Sequence, residues 1–236
     1  MGSFPGTTGA GNRRYRLMVF GLPGLLPKYL RAISATFDKR LQKHGDTAKG
    51  VLWINEERQQ LRFEYLARIL ADLPPEKTVS INDYGCGYGA LYDFLLTLPG
   101  QLKFKYRGYD ISKEMIRMAR NRIRHPNATF HKGHRVKHLA DYTFVSGTFN
   151  LKIGVDNDTW NTIIKSQISD LWNNTTTGMA FNMLDVAQEG EARSLYYADA
   201  IDFTNYCASL GANVELVRND PLEDWTILMK RQDPSG

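Results

Sequence analysis

The stretch VSINDYGCGYGAL (Val79–Leu91) restricts this chain more than any other segment. Val79 and Ile81 lead a strand into Asp83. Gly85, Gly87 and Gly89 then follow at alternate positions, and a helix begins behind them. Glycine is required where backbone must approach a ligand closely or take positive φ. A helix start behind such a loop presents free N–H groups, which suit a carboxylate or a phosphate. The alternation of strand, loop and helix that begins here continues until a final pair of strands.

Periodicity places the elements. Tyr29, Ile33, Phe37 and Leu41 recur every four residues after Pro27, which predicts a helix ending at His44-Gly45-Asp46. A second helix starts at the N-cap Asn55, with Glu56 and Glu57 where the helix dipole favours acids, and stops at Pro74-Pro75. Strands are predicted over 78–83, 105–109, 128–131, 142–146, 179–184, 213–217 and 225–230. Helices are predicted over 89–98, 112–124, 158–173 and 199–210. In the helix over 158–173, Trp160, Ile163, Ile164, Gln167, Ile168 and Leu171 share one side. Strands separated by helices imply a mostly parallel sheet covered on both faces. The last two strands are joined by a turn alone, so they form an antiparallel hairpin. The fold class is therefore α/β, with a Rossmann-like seven-stranded sheet. Three parts follow: a flexible arm over 1–26, a helical lid over 27–75 and a core over 76–232.

The length of 236 residues suits one such domain with an appended arm. The net charge of +5 conceals a split: residues 1–50 carry +7, 51–101 carry −3, 102–140 carry +9 and 141–236 carry −8. A basic partner surface is thus confined to two segments. Two cysteines, Cys86 and Cys207, cannot build a disulfide framework, which points to a reducing, cytoplasmic setting. Arg13, Arg14 and Arg16 precede the apolar run Leu17–Leu26, but no small-x-small cleavage site follows, so export is not expected. No apolar run is long enough to span a bilayer.

Two cofactors compete for the glycine loop. A dinucleotide fingerprint requires G-x-G-x-x-G, yet Ala90 stands where its third glycine belongs. The chain instead has D-x-G-x-G-x-G, followed by Asp110 at the next strand end in YRGYDIS. This combination resembles the first motif of class I S-adenosylmethionine-dependent methyltransferases, in order and spacing over about 80–230. GVLWINEERQQLRF, ADYTFVSGTFN, MAFNML and LYYAD look like bacterial members often given trans-aconitate-methyltransferase-like names.

The resemblance implies S-adenosylmethionine as cofactor and S-adenosylhomocysteine as product. It implies that Gly85, Gly87 and Gly89 let the backbone wrap the methionine end, with Tyr84 and Cys86 beside them. Asp83 lies beneath the loop and takes the amino group. Asp110 takes the ribose hydroxyls. Ile111 and Met115 flank the adenine, and Gly133 with His134 or Arg135 borders its edge. Ser146 and Gly147 close the cofactor side, while Trp53, Gln60 and Arg62 belong to a segment folding over it. Cys86 reads as a small buried filler rather than a nucleophile. Phe149, Asn150, Tyr196, Tyr197 and Asp199 are candidates for acceptor binding.

Methyl transfer from a sulfonium needs positioning and water exclusion more than acid–base chemistry. No diagnostic catalytic residue is therefore expected, although Tyr15, His44, His131, His134, Tyr197 and Asp199 are conceivable and Tyr197 is preferred. Asp141, Asp185 and Asn182 lack the spacing of a metal site. The fourth strand end, SGTFN, lacks the N-P-P-Y pattern of amino-methylating nucleic-acid enzymes. The reading is a methyltransferase acting on a small acceptor, with no membrane or nucleic-acid partner and a homodimer left open. A macromolecular acceptor, or a protein that binds the cofactor without catalysis, are the alternatives.

Overall fold

The computed structural model describes residues 26–45, 55–188, 194–220 and 222–232. Trp53, Tyr15 and the arm up to residue 25 lie outside them, as does the side chain of His44. Helix α1 (Lys28–His44) ends on Gly45 at φ 66°. Helix α2 (Glu56–Ala67) is capped by Asn55, whose side chain accepts from Arg58 N, and it tightens into a 3-10 turn at Arg68–Leu70. The core then alternates: β1 (Thr78–Tyr84), α3 (Ala90–Thr97), β2 (Lys103–Asp110), α4 (Lys113–Arg122), β3 (Ala128–Lys132), β4 (Ala140–Val145), α5 (Asn157–Asn173), β5 (Thr175–Asp185), β6 (Tyr197–Ala198), α6 (Ala200–Ser209), β7 (Ala212–Asn219) and β8 (Asp224–Arg231).

Among the described residues the sheet has eight strands. Seven run in the order β3-β2-β1-β4-β5-β8-β7, and β6 pairs with the end of β5. The sequence predicted seven because a two-residue strand is too short to show a period. β1 to β5 are parallel, whereas β8 is antiparallel to both β5 and β7. β5 also begins four residues earlier than its apolar pattern suggests. Thr175 belongs to it because its hydroxyl is satisfied internally, by Thr143 Oγ1 at 2.6 Å and Leu171 O at 2.8 Å.

The two faces are covered differently. On one face, Phe63, Leu66, Ile69 and Leu70 from α2 and its turn pack with α3, α4, Val79, Ile81 and Phe144. Burying side chains of this kind is worth about 1.5–3 kcal/mol each as an upper estimate, so α2 is part of the sheet's cover. On the other face, α5 and α6 pack Ile164, Ile168, Leu171 and Phe203 against Val145, Met179 and Phe181. The crossover from β3 to β4 contains no helix. Residues 133–139 form an irregular, bent segment beside the sheet, where His138 O accepts from Asn82 Nδ2 at 2.8 Å and Leu139 O accepts from Arg107 at 3.3 Å.

Helix α1 stands apart from these layers. It packs on α4, where Ser112 Oγ bonds Asp38 at 2.5 Å and Ser34 Oγ donates to Ile111 O at 3.4 Å. Strand numbering reverses between β1 and β4, so the loops after these strands diverge and leave a crevice at their carboxyl ends. No described helix is long and apolar enough to cross a membrane.

One buried ion pair joins α2 to the C-terminal hairpin. Arg62 donates through Nε to Asp224, and both residues are almost fully buried. Asn219 Nδ2 donates to the other oxygen of Asp224 at 2.5 Å. Burial opposes both charges, lowering the pKa of the guanidinium and raising that of the carboxyl. Removing one partner therefore strands the other. Arg62→Met is expected to cost about 3–5 kcal/mol in urea unfolding, and the double variant Arg62→Met/Asp224→Leu to recover most of it.

Candidate active site

A cavity of about 280 Å³ occupies the crevice. Its floor is the glycine loop between β1 and α3. Gly85, Gly87 and Gly89 all have positive φ, at 82°, 53° and 92°. Side chains other than glycine rarely adopt that region. The loop is tied to the next strand: Gly85 N and Cys86 N both donate to Tyr109 O, at 2.8 and 3.0 Å. Space is equally strict. A Cβ on Gly85 would stand 2.1 Å from Thr148 Oγ1, a hydroxyl fixed by its own 2.9 Å bond to Tyr84 O. Cys86 fills the gap left by Gly108, and burial raises its thiol pKa well above the ordinary value. It is an inert filler.

Two buried carboxylates face this floor. Asp110 Oδ2 accepts from Gly87 N at 2.9 Å, and Oδ1 accepts from Ser112 N at 2.8 Å. Each oxygen keeps a second lone pair for another donor. Desolvation raises the Asp110 pKa to about 6. Asp83 accepts a short hydrogen bond from Tyr106 Oη, and desolvation lifts its pKa to about 7, with Asp110 adding to the rise. Ser146 lines the same region. Its Oγ is buried without a hydrogen-bond partner among the described residues. Two carboxylates, an unpaired hydroxyl and close-approach glycines suit a ligand with cationic and hydroxyl groups. S-adenosylmethionine carries both.

The rest of the cavity lining is mostly apolar. Helix α1 gives Tyr29, Leu30, Ile33 and Phe37; the loop after β4 gives Phe149, Asn150 and Leu151; α5 gives Trp160, Ile163, Ile164 and Gln167. Tyr29 meets Trp160 edge to face at 5.7 Å, and burial raises the Tyr29 pKa to about 12. Trp160 Nε1 donates to Phe149 O at 2.9 Å, so α5 fixes the loop after β4. Among the described residues, no group of three or more His, Cys, Asp or Glu could hold a metal ion.

The structure gathers most of the residues that the sequence nominated. Asp83, Tyr84, Gly85, Cys86, Gly87, Asp110, Ile111, Met115, Gly133, Ser146, Gly147, Phe149, Asn150 and Arg62 all line the cavity. Gly89 lies just behind, as the left-handed N-cap of α3. Others stand elsewhere. Gln60 faces solvent, and its neighbour Gln59 lines the cavity and accepts from Tyr88 Oη at 3.2 Å. Arg62 spends its Nε on Asp224 rather than pointing it wholly at a ligand. His134 reaches the site through its backbone, where its carbonyl accepts from Tyr84 Oη at 3.2 Å.

Tyr196, Tyr197 and Asp199, the residues expected on the acceptor side after β5, are not among those lining the cavity. Tyr196 Oη is held by Asn161 Nδ2 at 3.0 Å, behind the cavity wall. Asp199 is the N-cap of α6, accepting from Ile201 N and Asp202 N. Tyr197 lies in β6, outside the cavity lining, and His131 stacks on Tyr109 on the sheet face. Asp141 accepts from Ser80, and Asp185 pairs with Arg218. Sequence reasoning had assigned Tyr29, Trp160, Ile163 and Gln167 to helix stripes alone. The one available signal was Gln167, an amide in an otherwise apolar stripe.

Known proteins agree with this geometry. A family described as a methyltransferase domain matches residues 81–167. Rv1506c of Mycobacterium tuberculosis, named as a methyltransferase, is 34% identical over 156 residues, covering 64% of this chain and 93% of that protein. The fold resembles magnesium protoporphyrin IX methyltransferase from Synechocystis, crystallised with S-adenosylmethionine, at a TM-score of 0.59 and 13% identity, covering 86% of this chain and 95% of that one. It also resembles human N-acetylserotonin methyltransferase, at a TM-score of 0.59 and 13% identity, covering 95% of this chain and 65% of that one. The chain belongs to the class I S-adenosylmethionine-dependent methyltransferases. It is an enzyme of that class.

Gly85 provides a direct test of the floor. Gly85→Ala places a methyl against Thr148 at an unfavourable φ. The variant is expected to lose about 1–3 kcal/mol of stability and to bind S-adenosylhomocysteine at least about tenfold more weakly, as calorimetry would measure.

Proposed function

We propose that the enzyme methylates a small molecule enclosed between the glycine-loop floor and helix α1. The observation that carries this reading is a cavity whose lining combines Asp83, Asp110 and the unpartnered Ser146 hydroxyl with apolar side chains from α1, α5 and the loop after β4. A chamber of that kind suits a free metabolite or biosynthetic intermediate better than a macromolecule.

The residue roles follow from chemistry. Asp83 neutralises the cationic methionine end of the cofactor, and Asp110 accepts from the ribose hydroxyls while holding two loops in place. Ile111 and Met115 flank the adenine. Helix α1 excludes water over the reacting centre, which strengthens every electrostatic contact inside. When bound, the cofactor supplies an already activated methyl group for in-line displacement. The chain's own contribution is then orientation and desolvation. Among the described residues, no histidine or lysine lines the cavity.

Charge makes the reading testable by pH. Asp83 and Asp110 have folded pKa values near 7 and 6, above the ordinary carboxyl value. The folded protein therefore retains protons that the unfolded chain has already released. Stability of the cofactor-free protein is expected to fall as pH rises from about 4 to about 7. A cationic ligand reverses the preference, so affinity for S-adenosylmethionine should rise over the same upper range. Asp83→Asn should flatten both profiles. Calorimetric titration at pH 6, 7 and 8 checks this, and a pH-independent affinity in the parent protein would overturn the role of Asp83. Transfer of radiolabelled methyl to the small-molecule rather than the protein or RNA fraction of a cell extract tests the acceptor class.

A further inference from the structure

Among the described residues, the crossover from β3 to β4 leaves part of one sheet face without a helix over it. Side chains alternate across a strand. Lys105, Arg107 and Tyr109 of β2 therefore share this face, and the register sets Thr129 and His131 of β3 beside them. Phe104, Tyr106 and Phe130 point the other way, into the core with α3 and α4. The irregular strap adds Lys137, His138 and Leu139, all exposed. Leu139 is 62% exposed, and Arg107 donates to its carbonyl at 3.3 Å, so an apolar side chain stands among cations. The rings of His131 and His138 lie 5.8 Å apart. Burial, and then His138, Arg120, Arg107 and Lys137, lower the His131 pKa, which marks a concentration of positive charge. Carboxylates at the margin are already engaged, Asp141 by Ser80 and Thr176 and Glu76 by Lys103.

We propose that this uncovered face docks a protein partner whose surface presents carboxylates around an apolar side chain. Charge complementarity selects an acidic partner. Leu139 selects a protein over a nucleic acid, because a phosphate gains nothing from an exposed leucine, whereas a partner's apolar side chain buries it inside a polar rim. The described residues of the face also include no exposed Phe, Tyr or Trp on which a base could stack. The chain's own N-terminal arm is an unsuitable occupant, since residues 1–25 carry three arginines and no acid. A second copy brings the same basic face and a net charge of +5. The partner would rest on the strap that bonds Tyr84 and Tyr109, two residues of the cavity wall. The inference is independent of which acceptor the cavity holds.

The probe is a dye-labelled helical peptide of repeating Glu-Glu-Leu-Glu units, about 16 residues long, titrated with the full chain by fluorescence anisotropy at about 50 mM salt. A second peptide has alanine for every leucine, and a duplex RNA serves as the other polyanion. The leucine peptide is expected to bind at least about fivefold tighter than the alanine peptide, and both to weaken as salt rises. Lys105→Glu/Lys137→Glu should weaken the leucine peptide at least about tenfold. Leu139→Ala should erase the preference for leucine over alanine. Lys113→Glu/Arg117→Glu, exposed on α4, makes the same change in net charge and should alter binding less than about twofold. An unchanged melting temperature shows that each variant is folded, and Lys105→Gln/Lys137→Gln replaces the charge reversal if it is not. Absence of peptide binding, equal affinity for the two peptides or equal losses in the two charge-reversed variants overturns the inference. Tighter binding of the RNA, or salt-sensitive self-association abolished by Lys105→Glu/Lys137→Glu, overturns it in favour of a nucleic acid or a second copy.

Discussion

Three loops of the site converge on Asp110. Its carboxylate accepts from Gly87 N in the loop after β1 and from Ser112 N in the loop after β2. Its carbonyl accepts from Gly133 N at the end of β3 at 2.8 Å. Ser112 in turn caps α4 and holds Asp38 of α1. One residue at the end of a central strand therefore sets the floor, the wall and the attachment of the covering helix together. The cost is a carboxylate in a desolvated place, visible as a raised pKa. A ligand bringing donors or positive charge offsets that cost. The same exchange of folding stability for ligand affinity holds at Asp83.

The crossover between β3 and β4 is the second feature on which the cavity depends. An irregular strap occupies the place of a helix, bonded to Tyr84, Asn82 and Tyr109 through His134 and His138. Tyr84 and Tyr109 are thereby free to face the cavity as well as the core. The strap also disposes of charge. Lys105, Lys137 and His138 are exposed, and Arg107 is half-buried near them. Burial and then the surrounding cations depress the His131 pKa. The +9 of residues 102–140 thus resides largely on the outer sheet face and on α4, away from the apolar part of the chamber lining.

Much of the fold was legible because it rests on local chemistry. Asn55 and Ser112 cap their helices through their own side chains, and the spacing that revealed them is the spacing that works. The glycine loop was legible for the same reason, since positive φ and close approach are properties of the residue itself. The misplacements are also local in origin. Helix α5 begins at Asp156 as N-cap rather than Asp158, because both are acids and only geometry selects one. Gln59 and Gln60 are adjacent and chemically identical, and the rotation of α2 decides which faces inward. Asp199 stands beside two tyrosines in the chain, and in the fold its Oδ1 caps the first turn of α6.

The sequence by itself determined the class of sheet, the floor of the site and the two carboxylates at its strand ends. These depend on residues close in the chain, where short-range sterics and hydrogen bonding dominate. Tertiary structure alone decided the acceptor side. The apolar part of the lining is assembled from α1, the loop after β4 and α5, segments more than a hundred residues apart at their extremes. An apolar stripe reads the same whether it meets a neighbouring helix or a cavity. Gln167 shows the difference: its place among apolar residues was apparent from the chain, and its place on the cavity wall beside Tyr84 only from the structure.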